Sequence, residues 1–278
     1  MEKIQALGIL AKIENRMLNK VNLGFNPEVL DILDNVEASN EEIERIKMRI
    51  SNEILIRLFS IANSAYYGSL KKGTIRTFTE VVSRVGMNHT KALIIILSLH
   101  IMAQGDKDVE IVFARSFATS VLGKVLAREF SIRDDMAKRV ELGGLLLEIG
   151  KIMMILYRKF RKPDEDDIDD EFIDTYHAYL GEKTIDRFAL PDYLKPMVHS
   201  TCLSLDTQVI ALKGIVQLAH DTVSASFQKF HNKLVLESPP PGPERDPAGM
   251  LGNIIKEQFN AVGLGKYVRV DVGESRRS

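Results

Sequence analysis

GGLLLEIGK, residues 143–151, is the stretch on which the reading of this chain turns. Its one acid, Glu148, stands inside LLLEIGKIMMIL (145–156), where no polar face exists for several residues. A carboxylate carried inward on such a helix needs a partner, because an unpaired buried charge is costly. The run either is a plain core helix or holds a site at its one acidic position.

Working outward, the nearest source of a partner is the helical pattern over 107–130. At about 100° per residue, Ile111, Arg115, Ala118, Leu122 and Leu126 share one face. Arg115 therefore stands within an apolar stripe. The economical expectation is that Arg115 and Glu148 face each other. The alternative is that Arg115 lays its stem along apolar surface and reaches water at a helix end.

Helical periodicity dominates the rest, and clean alternation is scarce. It predicts helices near 2–20, 27–37, 39–50, 52–63, 77–86, 88–103, 107–130, 134–160, 168–188, 191–200, 205–231 and 247–262. Ser39 and Glu42 fit a capping box, and Asn88 is a candidate cap for the helix after Gly86-Met87. Pro27 and Pro191 fit first-turn positions. The GDKD turn (105–108) separates an N-terminal helical subdomain, 1–105, from a core, 106–236. ESPPPGPERDPA (237–248) reads as a linker, since three consecutive prolines cannot continue a helix. A C-terminal helix and tail follow over 249–278.

The 278 residues suffice for one or two domains. Lys and Arg (37) balance Asp and Glu (38) to a net charge of −1, which disfavours nucleic acid and anionic membrane as partners. Cys202 is the single cysteine, so no disulfide can form within the chain. The N-terminus, MEKIQALGILAKIENRMLNK, lacks the apolar core of a signal peptide. ALIIILSLHIMA (92–103) is too short to span a bilayer and contains His100. The expectation is a cytoplasmic protein with no membrane contact. No Gly-rich phosphate loop and no nucleophile elbow is present.

Other segments complete a pattern. LIRLFSIANSAYY (55–67) carries Leu-x-x-x-x-x-Ala-Asn-Ser-Ala-x-Tyr, and the next helix ends in Val85-Gly86. GGLLLEIGK follows, and then His177, Gly181, Leu190 and Pro191. This ordered set resembles the HDOD domain family, bacterial signalling modules related to the metal-dependent HD phosphohydrolases. The resemblance spans roughly residues 15–225. Ser51-Asn52 and Phe188 depart from it, where the family has Asp-Pro and Trp. It implies an all-α bundle of the HD-superfamily type and a regulatory role.

The resemblance also places the metal ligands of HD enzymes on this chain. The first ligand His falls on Arg115, the His-Asp pair on Leu147 and Glu148, the next His on His177, and the late Asp on His220. A further His pair falls on Thr201 and Cys202, with His199 two residues early. Arginine has no lone pair for a metal, and leucine cannot coordinate. A hydrolytic centre needs three or more converging ligands and an open position. The expectation is a degenerate site without metal, cofactor or catalysis. Without the family, His177 reads equally as a hydrogen-bonded core residue, and His220 and Asp221 point about 100° apart along a helix.

The expected function is signal transduction by binding other signalling proteins, with room for a small-molecule ligand in the former metal cleft. Tyr67, Lys71 and Lys72 are the candidate partner-binding residues, aromatic and cationic between two helices. The rival is an HD-type phosphohydrolase with an atypical metal set of Glu148, His177 and His220.

Overall fold

A computed structural model of the chain describes residues 3–20, 23–64, 67, 74–103, 105–198, 206–238 and 247–272. The predictions at Lys71, Lys72, His199, Thr201, Cys202 and most of the 237–248 linker fall outside these residues. The N-terminal group runs α1 (Lys3–Glu14), a π-helical turn (Asn15–Lys20), α2 (Glu28–Asp34), α3 (Asn40–Ile46), α4 (Asn52–Asn63), α5 (Phe78–Val85) and α6 (Met87–Ala103). The central group is α7 (Lys107–Glu129), α8 (Asp134–Leu146), α9 (Ile149–Phe160), α10 (Asp170–Arg187), α11 (Lys195–Val198) and α12 (Thr207–Lys229). It is followed by β1 (Leu234–Ser238), α13 (Pro247–Ala261) and β2 (Val268–Val272).

Local chemistry sets the boundaries. Ser39 closes α3 with Glu42, and Thr77 does the same for α5 with Glu80, each as a full capping box. Asp106, Asp169 and Asp206 accept from backbone N–H groups at the starts of α7, α10 and α12. α6 begins at Met87, so Asn88 lies in its first turn and is not the cap. α6 is buried on all sides from His89 to His100, as befits a central core helix. Among the described residues no single helix is long and apolar enough to cross a membrane.

The core is all-α, with α7 packed along α8 and α12, and α9 along α10. Glycines in the quoted stretch permit this. A Cβ on Gly144 would stand 2.8 Å from backbone atoms of Ser120 on α7, and one on Gly150 would stand 1.9 Å from the carbonyl oxygen of His177 on α10. Backbone therefore meets backbone at both places.

Two features differ from the sequence expectation. The helix predicted over 134–160 is broken: Leu147 and Glu148 separate α8 from α9, and Glu148 stands at φ −106°, ψ 19°. Periodicity cannot register such a break, because both halves keep the same apolar face inward. The second feature is β1 pairing with β2 in parallel, from Leu234 opposite Val268 to Ser238 opposite Val272. α13 makes the crossover that a parallel pair requires. Ile255, Phe259, Val262 and Leu264 are buried in the same hydrophobic cluster as the helical core, so this C-terminal unit closes onto the bundle.

Candidate functional site

The break between α8 and α9 turns Glu148 into a cleft bounded by α7, α10, α11 and α12. Arg115, Leu147, Lys151, His177 and His220 line it with Glu148, in a space of about 460 Å³. Among the described residues, the five positions onto which HD metal ligands map, Arg115, Leu147, Glu148, His177 and His220, thus border one cavity.

Arg115 grips Glu148 in two places. Its Nε donates to Oε2 at 2.7 Å, and its Nη2 donates to Oε1. Glu148 is buried and Arg115 mostly so. Burial alone would raise the pKa of Glu148. The neighbouring His220 imidazole, and the hydrogen bonds and charge of Arg115, overcome it and hold the carboxyl at about 2. His220 Nε2 lies 3.8 Å from Glu148 Oε2, and its Nδ1 lies 3.8 Å from Asp221 Oδ1. Asp221 is exposed and beyond hydrogen-bond reach.

His177 is carried by α10 where Gly150 presses against its backbone. Burial, and then the charge of Lys151, push its pKa below the ordinary histidine value. It is therefore a neutral imidazole near pH 7, and its Nδ1 is buried without a hydrogen-bond partner. Lys151 instead donates to Asp174 at 2.5 Å.

These residues do not fit a metal of the HD type. Both oxygens of Glu148 are taken by a permanent cation, and Leu147 offers no donor atom. Among the described residues, no group of three or more His, Cys, Asp or Glu side chains is placed to hold a metal ion. What the arrangement can do is bind: it combines an imidazole free to take or give a hydrogen bond, an apolar wall and fixed charges.

A second buried acid was missed from the sequence. Glu141, on α8, accepts from the Tyr67 hydroxyl at 2.7 Å, and Lys124 Nζ stands 2.7 Å from its other oxygen. His89 Nε2 is 3.5 Å away, and Lys124 also lies 5.0 Å from the Tyr67 ring centre. Burial opposes ionisation of Glu141, but His89 and Lys124 prevail and hold it at about 2. The Tyr67 hydroxyl, held by burial and by that carboxylate, is pushed well above the phenol range. Tyr67 thus turns its polar end inward. Lys124 shares a face with the small residues Ser116, Ser120 and Ala127, a pattern that a solvated face shows as well, so the sequence carried no distinct signal for this network.

A third contact ties the C-terminal unit to the core. Arg57 donates from Nη1 to His100 Nδ1 at 2.7 Å and to the Val262 carbonyl at 2.9 Å. Burial, then the Arg57 charge, lower the His100 pKa to about 4.

A many-helix bundle with a cleft bounded by α7, α10, α11 and α12, and with Glu148 at the α8–α9 corner, defines a protein of the HD-type helical class. The HDOD domain family model matches residues 25–201. The chain belongs to the HDOD domain family. Three crystal structures share the fold. One is an HDOD domain protein of unknown function from Geobacter sulfurreducens: 16% identity, 91% of this chain and 89% of that one covered, TM-score 0.53. Two are from Shewanella amazonensis SB2B. The protein named "Putative metal-dependent phosphohydrolase" has 12% identity, 93% and 96% coverage and TM-score 0.56. The one named "Putative phosphohydrolase" has 16% identity, 93% and 97% coverage and TM-score 0.52. At such identities the likeness concerns the fold alone. No curated protein matches the chain.

Proposed function

We propose that this chain is a regulatory module that works by binding and carries out no catalysis of its own. One observation carries the reading: the guanidinium of Arg115 fills both oxygens of Glu148, where an HD enzyme would place a divalent cation. A metal site polarises a phosphate ester and makes hydroxide near neutral pH. A guanidinium bound to a carboxylate does neither.

The partners proposed are other signalling proteins, in a bacterial cytoplasm. The contact residues proposed are Lys71 and Lys72, with Tyr67, whose hydroxyl bonds Glu141. A small ligand in the cleft would be the input.

The rival, a metal-dependent phosphohydrolase, draws support from the names of two structural relatives. Turnover of bis-p-nitrophenyl phosphate with manganese separates the two. The expected rate is that of buffer with manganese alone. Turnover that vanishes in His177→Ala overturns the binding-only reading.

A further inference from the structure

The cleft at Glu148 continues past Arg115 into a second depression of about 280 Å³. Arg115, Lys151 and Asp174 border both lobes. Their linings differ in kind. The first lobe has an apolar wall of Met197, Val198 and Phe227, facing polar groups that include Gln228 and Asn232. His177 Nδ1 is buried there without a hydrogen-bond partner, whereas His220 Nε2 faces Glu148 Oε2 at 3.8 Å. Buried polar atoms are nearly always satisfied in folded proteins, so an unsatisfied ring nitrogen beside an open lobe points to a bound group.

The second lobe is cationic underneath and acidic outside. Lys151 and Arg158 share a face of α9, seven residues or about 10 Å apart along the axis. Their partners, at 2.5 and 2.6 Å, are Asp174 and Asp170. The cations keep only 24% and 30% of their side-chain surface, whereas the acids keep 63% and 87%. Exposed carboxylates hold such partners weakly. A phosphate, offering more oxygens to the same two cations, can take their place. Asp108 also faces this lobe and, with the two displaced acids, disfavours a long polyphosphate.

We propose that the two-lobed cleft binds a nucleoside mono- or diphosphate, with its base in the histidine lobe and its phosphate on Lys151 and Arg158. This rests on the binding-only reading of the same cleft and names its ligand class. A flat heterocycle with a hydrogen-bonding edge suits an apolar wall opposite imidazole and amide groups, and the first lobe is of the size that small-molecule sites have. Arg115 stays with Glu148 and forms the waist between base and phosphate.

The test is calorimetric titration of the whole chain, free of divalent metal, with AMP, GMP, CMP, UMP, ADP and GDP, and with adenosine, guanosine and inorganic phosphate. At least one nucleotide binds one to one, about tenfold or more tighter than its nucleoside or phosphate alone. Lys151→Gln with Arg158→Gln weakens it about tenfold or more. Asp170→Asn with Asp174→Asn tightens it several-fold, a direction that general damage to the fold cannot produce. The proposal is overturned if no nucleotide binds at millimolar concentration, if phosphate alone binds as well, or if the double Asn variant shows no gain. Loss of nucleotide binding in these assays leaves the binding-only reading standing. Hydrolysis of a bound nucleotide with manganese would sink that reading and leave the seat in place.

Discussion

Glu141 and Glu148 stand seven residues apart, the first on α8 and the second at the break between α8 and α9, and both are buried. Their settings differ. Glu141 is sealed inside the bundle, where Lys124, Tyr67 and His89 surround it. Glu148 is held by one arginine at the mouth of a cleft. The first arrangement fixes the packing of α6, α7 and α8 together. The second leaves one side open to a ligand. Burial of a charge thus separates into structural and functional cases by what lies on the far side of the carboxylate.

The largest expected effect falls on the sealed pair. Lys124→Ala strands Glu141 without its cation and should cost ~3–5 kcal/mol, read as a lower urea midpoint at constant slope. Arg115→Ala strands Glu148 beside water and should cost less, about 1–3 kcal/mol. The comparison breaks if the two losses come out in the reverse order. The double variant Arg115→Leu, Glu148→Gln should recover most of the second loss, because no lone charge remains.

Acid titration sharpens it further. Both carboxyls sit at about 2 in the fold against 4.5 ordinarily. Their stabilisation is complete above 4.5 and is lost as pH falls through 2. His100 acts earlier: it is neutral in the fold down to about 4, whereas the unfolded chain protonates it near 6.5. Its contribution is whole above 6.5 and declines as pH falls toward 4. Stability followed from pH 8 to 2 should therefore decline in two stages. His100→Phe should remove the upper stage, and Glu141→Gln or Glu148→Gln should each flatten the lower. A single-stage profile insensitive to His100 would contradict this.

The smallest effect belongs to His220→Asn. The imidazole lies 3.8 Å from Glu148, so the loss should stay within about 0.5 kcal/mol in the same urea assay.

Much of this was legible in the sequence. Ser39 and Glu42 announced a helix start because the capping box is a local device. Arg115 and Glu148 announced each other because each interrupts an apolar stripe that tolerates no lone charge. The break at Leu147–Glu148 was invisible: an αR residue followed by one at ψ 19° re-aims the helix without disturbing which residues face inward. β2 was missed although VRVDV alternates, because a five-residue strand gains its stability from β1, far off in sequence. The Glu141 network needed Tyr67, His89 and Lys124 from three separate segments, and no periodicity reports such a meeting.

The measurement closest to the central claim is metal content by mass spectrometry, on protein purified without chelator, incubated with manganese and then desalted. With the Arg115 guanidinium in the cation's place, manganese stays far below one equivalent in the wild type and is unchanged in His177→Ala. One equivalent of manganese, lost on substitution of His177, would contradict the account.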